Sequence, residues 1–557
     1  MPDETFYPPL DPTEIDPHAR DAQRFPRLSD DMAQRITAYG EVENLPAGTM
    51  LFERGQRGAD FFFVLEGSIQ VFDLDSDGQP KTVTTHTRHQ FSGELDHLNQ
   101  RQILLSGVTV IGSRVVRLKR ENFRKLVSGE SDIGEIIMRA FILRRVTLIQ
   151  LGAGGVVVIG PGHAADTLRL ERFLIRNAHP HRLLDIDVDP TADGLIATFD
   201  IAPDQFPVVI SLGHGLLKNP STAMLADTLG LTEAIEPGRI HDVAVVGGGP
   251  AGLAAAVYGA SEGLDTIVIE GMAPGGQAGT SSKIENYLGF PTGISGQALA
   301  GRAQVQAQKF GARLAISRHV VALDCSSQPY HLELEDGQLI AARAIVIATG
   351  ARYRKLDVPN YDRYEGQGIH YAATAMEGRL CSGQEVIVVG GGNSAGQAAV
   401  FLSRIAAHVH LLVRANGLAA TMSDYLVRRI HQSSRITLHT TTEIVELDGD
   451  DRLQRVSWVD RRSGARETHA IANVFVMVGA EPNTDWLGGC LELDSKGFIL
   501  TGFDISDASS RSPFATSKPG IFAVGDVRCG SVKRVASGVG EGSVVIQAVH
   551  QFLSPEV

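Results

Sequence analysis

The chain has 557 residues, which is more than a single hydrophobic core can organise. Its 43% hydrophobic and 21% charged residues exclude a fibrous or largely disordered protein. Its 51 basic and 64 acidic side chains give a formal net charge of -13, which would repel a phosphate backbone and argues against a nucleic-acid partner. Glycine or charged residues interrupt every apolar run before the roughly 18 residues that a membrane span needs, so a cytoplasmic protein is predicted.

Residues 1–28 are predicted to be a flexible lead, because prolines and acidic side chains are frequent there and the pattern of a signal peptide is missing. The cysteines also bear on the compartment. Their spacing shows no CxxC pair, which predicts neither a disulfide framework nor a zinc site, so we interpret them as buried thiols in a reducing cytoplasm. The chain has four, at Cys325, Cys381, Cys490 and Cys529.

Residues 29–150 carry short alternating strands with glycine turns, followed by two helical patterns near 120–145, which predicts a β-barrel with flanking helices. The segments FFFVLEGSIQVF, FSGEL and VVRLKRENFRKLV resemble the cyclic-nucleotide-binding domain family. That resemblance implies a glutamate on the ribose and an arginine on the cyclic phosphate. Glu94 stands at the glutamate position, but Ile103 stands at the arginine position and Arg101 lies two residues too early. Since an uncompensated phosphate is costly in an apolar pocket, we favour a degenerate regulatory or interaction domain over true nucleotide binding.

Residues 153–233 read as an apolar strand at 156–159, a helix, a strand over 183–188 and the segment FPVVI around Pro207. This order resembles a thioredoxin or glutaredoxin fold, in which a cis-proline faces the active cysteines. The loop that would carry those cysteines, 160–166, reads GPGHAAD and contains no sulfur. We therefore predict a redox-silent spacer or docking domain.

The third region begins near Arg239 and alternates strands with helices. A strand over 242–246 is followed by Gly247, Gly249 and Gly252, a helix, and a second strand over 266–269 that ends at Glu270. The glycines allow a tight turn and close approach of the backbone to a pyrophosphate, while the acid suits the hydroxyls of an adenosine ribose. This sequence of elements predicts a dinucleotide site of the Rossmann type.

Further segments, among them GGQA at 275–278, KIENYLGFP at 283–291, ATG at 348–350 and GIFAVGD at 520–526, resemble thioredoxin reductase. The resemblance implies bound FAD, a homodimer joined through FAD-binding domains, and a division into FAD-binding parts at 239–357 and 480–557 around an NAD(P)H-binding domain at 358–479. It implies that Gln277 and Asn286, the catalytic candidates, lie against the isoalloxazine and that Asp526 contacts the ribityl chain. The remaining FAD contacts it implies, with the fingerprint, are Pro250, Ala251, Gly276, Thr349, Gly350, Gly525, Arg534 and Val535.

A second dinucleotide unit starts with a strand over 385–389. Its fingerprint contributes the predicted NADPH contacts Gly390, Gly392, Asn393, Ser394 and Ala395. The next strand, 409–413, ends at Arg414, where the first unit has Glu270. An arginine there would meet a 2′-phosphate, which favours NADPH over NADH; the alternative is an arginine that only caps the strand in solvent. Thioredoxin reductases continue with further basic residues, but Ala415 and Ala419 stand here, so Arg428 and Arg429 are candidates for the missing charge.

Ala372 and Ala375 stand where thioredoxin reductases have their CxxC. Alanine forms no thiolate, whereas hydride transfer from NADPH to the flavin needs only the stacking and orientation of two rings. We therefore predict an NADPH-dependent FAD oxidoreductase with a non-dithiol or external acceptor: a quinone, oxygen, a small redox protein or an external disulfide. Two alternatives stay open: a flavin-based redox sensor, and thioredoxin reduction through Cys381 or Cys529. His370 is assigned no role.

Overall fold

The computed structural model describes residues 17–74, 79–93, 102–151, 155–211, 215–281, 283–450, 452–506 and 512–554. The first module folds as two antiparallel sheets, β1-β7-β3 and β2-β6-β4-β5, flanked by helices. Its elements are α1 (Pro17–Arg24), α2 (Asp30–Thr37), β1 (Glu41–Leu45), β2 (Met50–Phe52), β3 (Phe61–Glu66), β4 (Ser68–Leu74), β5 (Pro80–Thr87), β6 (Ser106–Thr109), β7 (Ser113–Leu118), α3 (Arg120–Gly129) and α4 (Ser131–Leu151).

The β-rich module with two following helices is observed as predicted, and its strands form two sheets. Alternation along β3 sends Phe61 and Phe63 into a core shared with α3 and α4, and Phe62 into the core between the sheets. Glu94 and Arg101 lie outside the described residues. Across the part of the chain that is described, none of the helices combines the length and the apolar character needed to cross a membrane.

The predicted flexible lead is wrong from Pro17 onward, where α1 begins. Proline suits the first turn of a helix, because its fixed φ is helical and its missing N–H has no partner to lose there. The helix is tied to α4: the Arg24 guanidinium donates to the Thr147 hydroxyl at 2.9 Å, and Arg144 donates to the Arg24 carbonyl at 2.9 Å. Leu28, only 4% exposed, anchors the end of the segment. The average composition of residues 1–28 gives no indication of these hydrogen bonds or of the buried leucine.

The second module is a four-stranded sheet in the order β11-β10-β8-β9, with β8 and β9 parallel and β10 antiparallel to both β8 and β11. The strand predicted over 183–188 is His181–Asp185, because the Asp185 carboxylate accepts the N–H groups of Gly162 and Asp187 and turns the chain there. The Phe206–Pro207 peptide is cis. The elements are β8 (Val156–Gly160), α5 (Ala165–Arg176), β9 (His181–Asp185), α6 (Thr191–Thr198), β10 (Val208–Ser211), β11 (Gly215–Lys218) and α7 (Thr222–Thr228).

The third region begins with a sheet in the order β14-β13-β12-β17-β16-β15, with β28 beside β17. Strands β12, β13, β14 and β28 are parallel to their neighbours on the inner part of this sheet, so their carboxyl ends meet at one edge. Its elements are β12 (Ile240–Val246), α8 (Pro250–Ser261), β13 (Thr266–Glu270), α9 (Gly296–Phe310), β14 (Arg313–Ile316), β15 (Val320–Asp324), β16 (Tyr330–Leu334), β17 (Leu339–Ile347), β18 (Ala351–Tyr353), β27 (Ala480–Pro482), β28 (Ile521–Ala523) and α14 (Val535–Leu553).

A second parallel sheet, β19-β26-β20-β21-β22, is inserted between β18 and β27, which pair with each other. An antiparallel sheet, β23-β24-β25, packs beside it. The elements are α10 (Tyr361–Tyr364), β19 (Ile369–His370), α11 (Ala375–Leu380), β20 (Glu385–Val389), α12 (Asn393–Leu402), β21 (His408–Val413), α13 (Asp424–Gln432), β22 (Ile436–Thr440), β23 (Thr442–Gly449), β24 (Leu453–Asp460), β25 (Arg466–His469) and β26 (Val474–Val476).

Cys325 and Cys490 form a disulfide, which corrects the prediction of four free thiols. Cys325 follows β15, Cys490 follows the turn at 485–487, and the two Cα atoms lie 6.3 Å apart, within the usual range for a disulfide. Their separation of 165 residues gives no local pattern, so the pairing depends on how the sheet folds. Cys381 and Cys529 are free.

We expect a count of reactive thiols to reflect this pairing. Denatured without reductant, the protein should react with a thiol reagent at two of its four cysteines; after reduction it should react at all four. The Cys325→Ser variant should give three without reductant, because its partner is released. Four reactive thiols in the unreduced wild type would contradict the disulfide.

Candidate active site

The turn between β12 and α8 is built so that only glycine fits at two of its positions. A Cβ on Gly247 would lie 2.3 Å from the Ala348 carbonyl oxygen, and one on Gly252 would lie 1.9 Å from the Gly247 carbonyl oxygen. Gly249 differs, because a Cβ there would meet only the Cα of Gly276, at 3.9 Å. The space in front of Gly249 is therefore open to a ligand, as the pyrophosphate of a dinucleotide requires.

Glu270, at the end of β13, is fixed beside this turn. One carboxylate oxygen accepts the Gly248 N–H at 2.6 Å, and the other accepts the N–H groups of Met272 and Ala273 at 3.0 and 3.3 Å. Three backbone donors hold the carboxylate at the edge where the parallel strands end. The structure contains the predicted order of elements: a strand, a glycine turn, a helix, a second strand and an acid. These residues fit the adenosine half of FAD.

The predicted flavin-side residues have different surroundings. Gln277 is half-buried and its side-chain amide donates to the Ala351 carbonyl, whereas Asn286 is exposed. Asp526 is half-buried after β28, and desolvation raises the pKa of its carboxyl group. The Lys533 charge lowers that pKa and Glu541 raises it. Thr349 donates to the Asn483 carbonyl at 2.9 Å.

Other predicted residues lie in the same neighbourhood. Pro250 and Ala251 open α8, and Gly276, whose Cβ would lie 3.0 Å from the Gly249 Cα, faces the glycine turn. Arg534 is exposed and Val535 begins α14. Gly350 and Gly525 have φ of +64° and +75° in their turns.

Two residues of this site were not predicted from the sequence. The Glu541 carboxylate accepts the Gly525 N–H at 2.6 Å and pairs with Arg528 at 2.9 Å, which ties α14 to the turn that carries Asp526. Arg176, from the second module, donates to the Gly276 carbonyl at 2.8 Å. The first contact spans 16 residues and the second spans 100, and neither follows from a local sequence pattern.

We call a glycine turn that can receive a dinucleotide a cradle; the turn between β12 and α8 is the first, and the second follows β20. A Cβ on Gly390 would lie 2.3 Å from the Met477 carbonyl oxygen, while no atom of the described residues lies within 4 Å of one on Gly392. Asn393 begins α12, and its side-chain oxygen accepts the Ser423 N–H at 2.7 Å. Ser394 is exposed and Ala395 is buried in the first turn of this helix. In both cradles the first glycine is crowded by a backbone carbonyl, and a later glycine faces open space.

All three basic residues around this cradle are exposed, and two of them form ion pairs. Arg414 directly follows β21 and is exposed. Arg428 pairs with Asp424 at 2.5 Å, and Arg429 pairs with Glu285 at 2.6 Å. Arg429 therefore joins the inserted domain to the 283–291 segment.

Ala372 is half-buried. His370 is 5% exposed, and its Nε2 lies 3.0 Å from the Asn473 side-chain oxygen. Its Nδ1 has no hydrogen-bond partner among the described residues, and burial lowers the pKa of the ring. Cys381 is fully buried, and burial raises the pKa of its thiol to about 11. Burial and the neighbouring Asp494 raise the pKa of the Cys529 thiol. Neither thiol is set up to form a reactive thiolate near neutral pH.

Helix α5 of the second module lies against this segment through two crossed ion pairs. Glu171, whose side chain is 5% exposed, accepts from Arg379 at 2.7 Å, and Arg172 lies 3.5 Å from Glu377. We call these four residues the α5–α11 clamp. The same module also contacts the FAD-side loop, where Asn177 donates to the Met272 carbonyl at 3.2 Å. The clamp and the Asn177 hydrogen bond together connect the second module to both dinucleotide domains.

We expect Arg379→Gln to loosen α11. A buried carboxylate that loses its partner costs about 1–3 kcal/mol, reduced here because the arginine is largely exposed, so amide hydrogen exchange over 375–380 should become about five- to tenfold faster. Arg428→Gln is the matched control, since it breaks an i,i+4 pair inside the inserted domain. Equal exchange of α11 in both variants would show that the clamp does not hold this helix.

Comparisons with known proteins agree with this geometry. Residues 241–542 match the family model described as pyridine nucleotide-disulphide oxidoreductase, and residues 42–130 match that of the cyclic nucleotide-binding domain. Thioredoxin reductase of Mycolicibacterium smegmatis is 33% identical over 317 residues, 57% of this chain and 98% of that protein. NADPH-dependent thioredoxin reductase 3 of Arabidopsis thaliana is 32% identical over 360 residues, which cover 61% of this chain and 66% of that protein.

A solved structure shares the fold of the same region. Thioredoxin reductase of Lactococcus lactis, in the FR conformation, aligns with a TM-score of 0.52 and 30% identity over 56% of this chain and 99% of that chain. One assignment follows from the two cradles, from the acid after β13 and from the length of chain that matches the family model. The chain belongs to the pyridine nucleotide-disulphide oxidoreductase family and is a thioredoxin reductase-like, NADPH-dependent enzyme that uses FAD.

Proposed function

We propose that the enzyme passes hydride from NADPH to FAD and then delivers electrons to an acceptor other than an internal CxxC dithiol. The observation that carries this proposal is the pair Ala372 and Ala375 at the dithiol position, in a chain whose two free thiols have raised pKa values. The acceptor classes are a quinone, oxygen, a small redox protein or an external disulfide.

In this proposal the protein binds and orients while the cofactors supply the redox chemistry. When bound, FAD accepts a hydride equivalent and releases electrons to the acceptor. Glu270 holds the adenosine ribose, Asp526 hydrogen-bonds the ribityl chain, and Gln277 and Asn286 lie along the isoalloxazine. Arg534 and Val535 cover the flavin edge, where a positive charge favours the reduced anionic flavin.

The domain boundaries are part of the same proposal. We propose a cyclic-nucleotide-binding-like domain at 29–150, a cysteine-free thioredoxin-like domain at 153–233, FAD-binding parts at 239–357 and 480–557, and an NADPH-binding domain at 358–479, in a cytoplasmic protein. We also propose a homodimer joined through the FAD-binding domains. Two apolar side chains of these parts, Leu288 and Phe503, are 94% and 92% exposed, and an interface that covers them would explain their exposure.

Anaerobic stopped-flow mixing with NADPH, followed by turnover with benzoquinone, oxygen, a small aromatic disulfide and thioredoxin, tests the function. We expect flavin bleaching within seconds and turnover with a non-thioredoxin acceptor. The Cys381→Ser and Cys529→Ser variants should keep that turnover within about twofold, because neither thiol is a competent nucleophile. Thioredoxin turnover that either substitution abolishes would overturn the proposal in favour of a relocated thiol.

A redox sensor is the second candidate, and the α5–α11 clamp is what favours it. The second module contacts both dinucleotide domains and also the first module, where the Arg120 and Glu233 side chains lie 3.3 Å apart. Contacts through the second module therefore connect the flavin-binding region to the N-terminal module. Fast bleaching by NADPH without turnover on any acceptor would favour this sensor.

A further inference from the structure

The inserted domain is joined to the FAD-binding part of the chain by a short two-stranded ribbon. β18 leads into the domain and β27 leads out of it, and the two strands pair from Ala351↔Pro482 to Tyr353↔Ala480. A ribbon of this length gives little stiffness by itself, and domains joined in this way move relative to each other unless further contacts hold them. Since the first cradle belongs to one of these parts and the second to the other, their relative orientation depends on such contacts.

Helix α5 of the second module supplies contacts of this kind to the inserted domain. In the α5–α11 clamp, Glu171 accepts from Arg379 at 2.7 Å, and its side chain is 5% exposed. The Glu377 side chain, 4% exposed, lies 3.5 Å from Arg172. A buried carboxylate depends on a charged or hydrogen-bonding partner for its stability. Moving α11 away from α5 would break both ion pairs at once, so the clamp resists that movement.

The other end of the same helix holds the loop after β13. The Arg176 guanidinium donates to the Gly276 carbonyl at 2.8 Å, and the Asn177 amide, directly after the helix, donates to the Met272 carbonyl at 3.2 Å. The Met272 side chain packs against the apolar core of the second module. This loop carries Gly276 and Gln277, two of the residues predicted to contact FAD. With its 12 residues, α5 is a rod of about 18 Å that reaches from this loop to α11.

We propose that α5 fixes the orientation of the inserted domain relative to the FAD-binding part, with Glu171, Arg172 and Arg176 as positioning residues for hydride transfer. The inference rests on the hydride step of the proposed function. Transfer between two rings depends steeply on their distance and alignment, so a displacement of about 1 Å costs on the order of a hundredfold in rate. The Arg429–Glu285 pair joins the same two parts at another place, and α5 adds a rigid spacer to it.

Anaerobic stopped-flow mixing of the FAD-loaded full chain with NADPH measures this step without an acceptor. In Arg379→Glu the new carboxylate faces Glu171 and repels it, so the limiting rate constant of flavin reduction should fall about tenfold or more. The dissociation constant for NADPH should stay within about threefold, and the flavin content should not change, because both cradles are intact. Arg379→Lys keeps the charge and should retain the limiting rate within about twofold. An unchanged limiting rate in Arg379→Glu overturns the proposal.

Two further variants separate positioning from stability. Arg455→Glu is the matched control, because it creates a like-charge pair with Asp448 inside the inserted domain; it should leave the limiting rate within about twofold. Arg172→Gln covers the case in which Arg379→Glu fails to fold. It breaks the other ion pair of the clamp without placing like charges together, and it should lower the limiting rate about threefold or more. An equal fall in Arg379→Glu and Arg455→Glu would reflect a general loss of stability and overturn the proposal.

The orientation is also measured without NADPH. Nitroxides at Gln338→Cys on the FAD-binding part and Ser463→Cys on the inserted domain, both exposed positions, give an interdomain distance by pulsed EPR. The background carries Cys529→Ser and is diluted with unlabelled protein; Cys381 is fully buried and should not react. The parent should give one narrow distribution, and Arg379→Glu a broader or shifted one; identical distributions overturn the proposal. A parent that shows this difference but is not reduced by NADPH supports the role of α5 in orientation and contradicts the proposed function.

Discussion

The Gly249→Ala variant is expected to purify as a folded protein that has lost most of its flavin. In the part of the chain that the structure describes, its new methyl group meets no atom closer than 3.9 Å, so the fold should tolerate it. The same methyl group projects into the space that a pyrophosphate must approach. We expect FAD to bind about thirtyfold more weakly, which corresponds to roughly 2 kcal/mol, and NADPH-dependent turnover to fall in proportion to the remaining flavin. The ratio of flavin to protein absorbance and an FAD titration measure this.

Two further glycine variants separate binding from folding. Gly252→Ala should lower the stability of the protein itself, because its Cβ would lie 1.9 Å from the Gly247 carbonyl oxygen. Gly301→Ala, on α9 with nothing within 4 Å of the new methyl group, should keep full flavin and gain up to about 1 kcal/mol of helix stability. Full flavin content in Gly249→Ala would mean that this turn does not receive the pyrophosphate.

Arg414→Ala is expected to remove most of the preference for NADPH. A charge-assisted pair with a 2′-phosphate contributes about 1.5–3 kcal/mol, so kcat/KM for NADPH should fall about 10- to 100-fold while that for NADH stays within about twofold. Initial rates of flavin reduction with each nucleotide, taken across a concentration series, check this.

Arg428→Ala is the matched control for charge. It removes a neighbouring cation that is already paired with Asp424, so its effect on NADPH should be small. A fall with Arg428→Ala and none with Arg414→Ala would mean that α13 supplies the phosphate site and that Arg414 only caps β21 in solvent.

The two dinucleotide cradles could be predicted from sequence because their signals are local. The strand predicted over 385–389 is observed as Glu385–Val389, and the glycines after β12 and β20 lie in the tight turns that their spacing requires. Glycine spacing encodes a steric requirement within a few residues, and apolar runs encode burial on both faces of a parallel sheet. The barrel strands of the first module were predictable from alternation for the same reason.

Contacts between distant segments were not predictable in this way. The disulfide, the bond from Glu541 to the Gly525 amide and the clamp between α5 and α11 each depend on which elements pack together. Helix α1 was missed because its stability comes from contacts with α4 rather than from its own composition. The distinction between Arg414 and Arg429 likewise needed Glu285, which lies in another domain.

The disulfide has a topological consequence for the inserted domain. Cys325 precedes β18 and Cys490 follows β27, so the covalent ring that they close contains the whole of the sheet β19-β26-β20-β21-β22. A protease that cuts once within that sheet's connecting loops leaves both fragments linked. Such a nicked chain would migrate as one species on a denaturing gel and separate into two only after reductant is added.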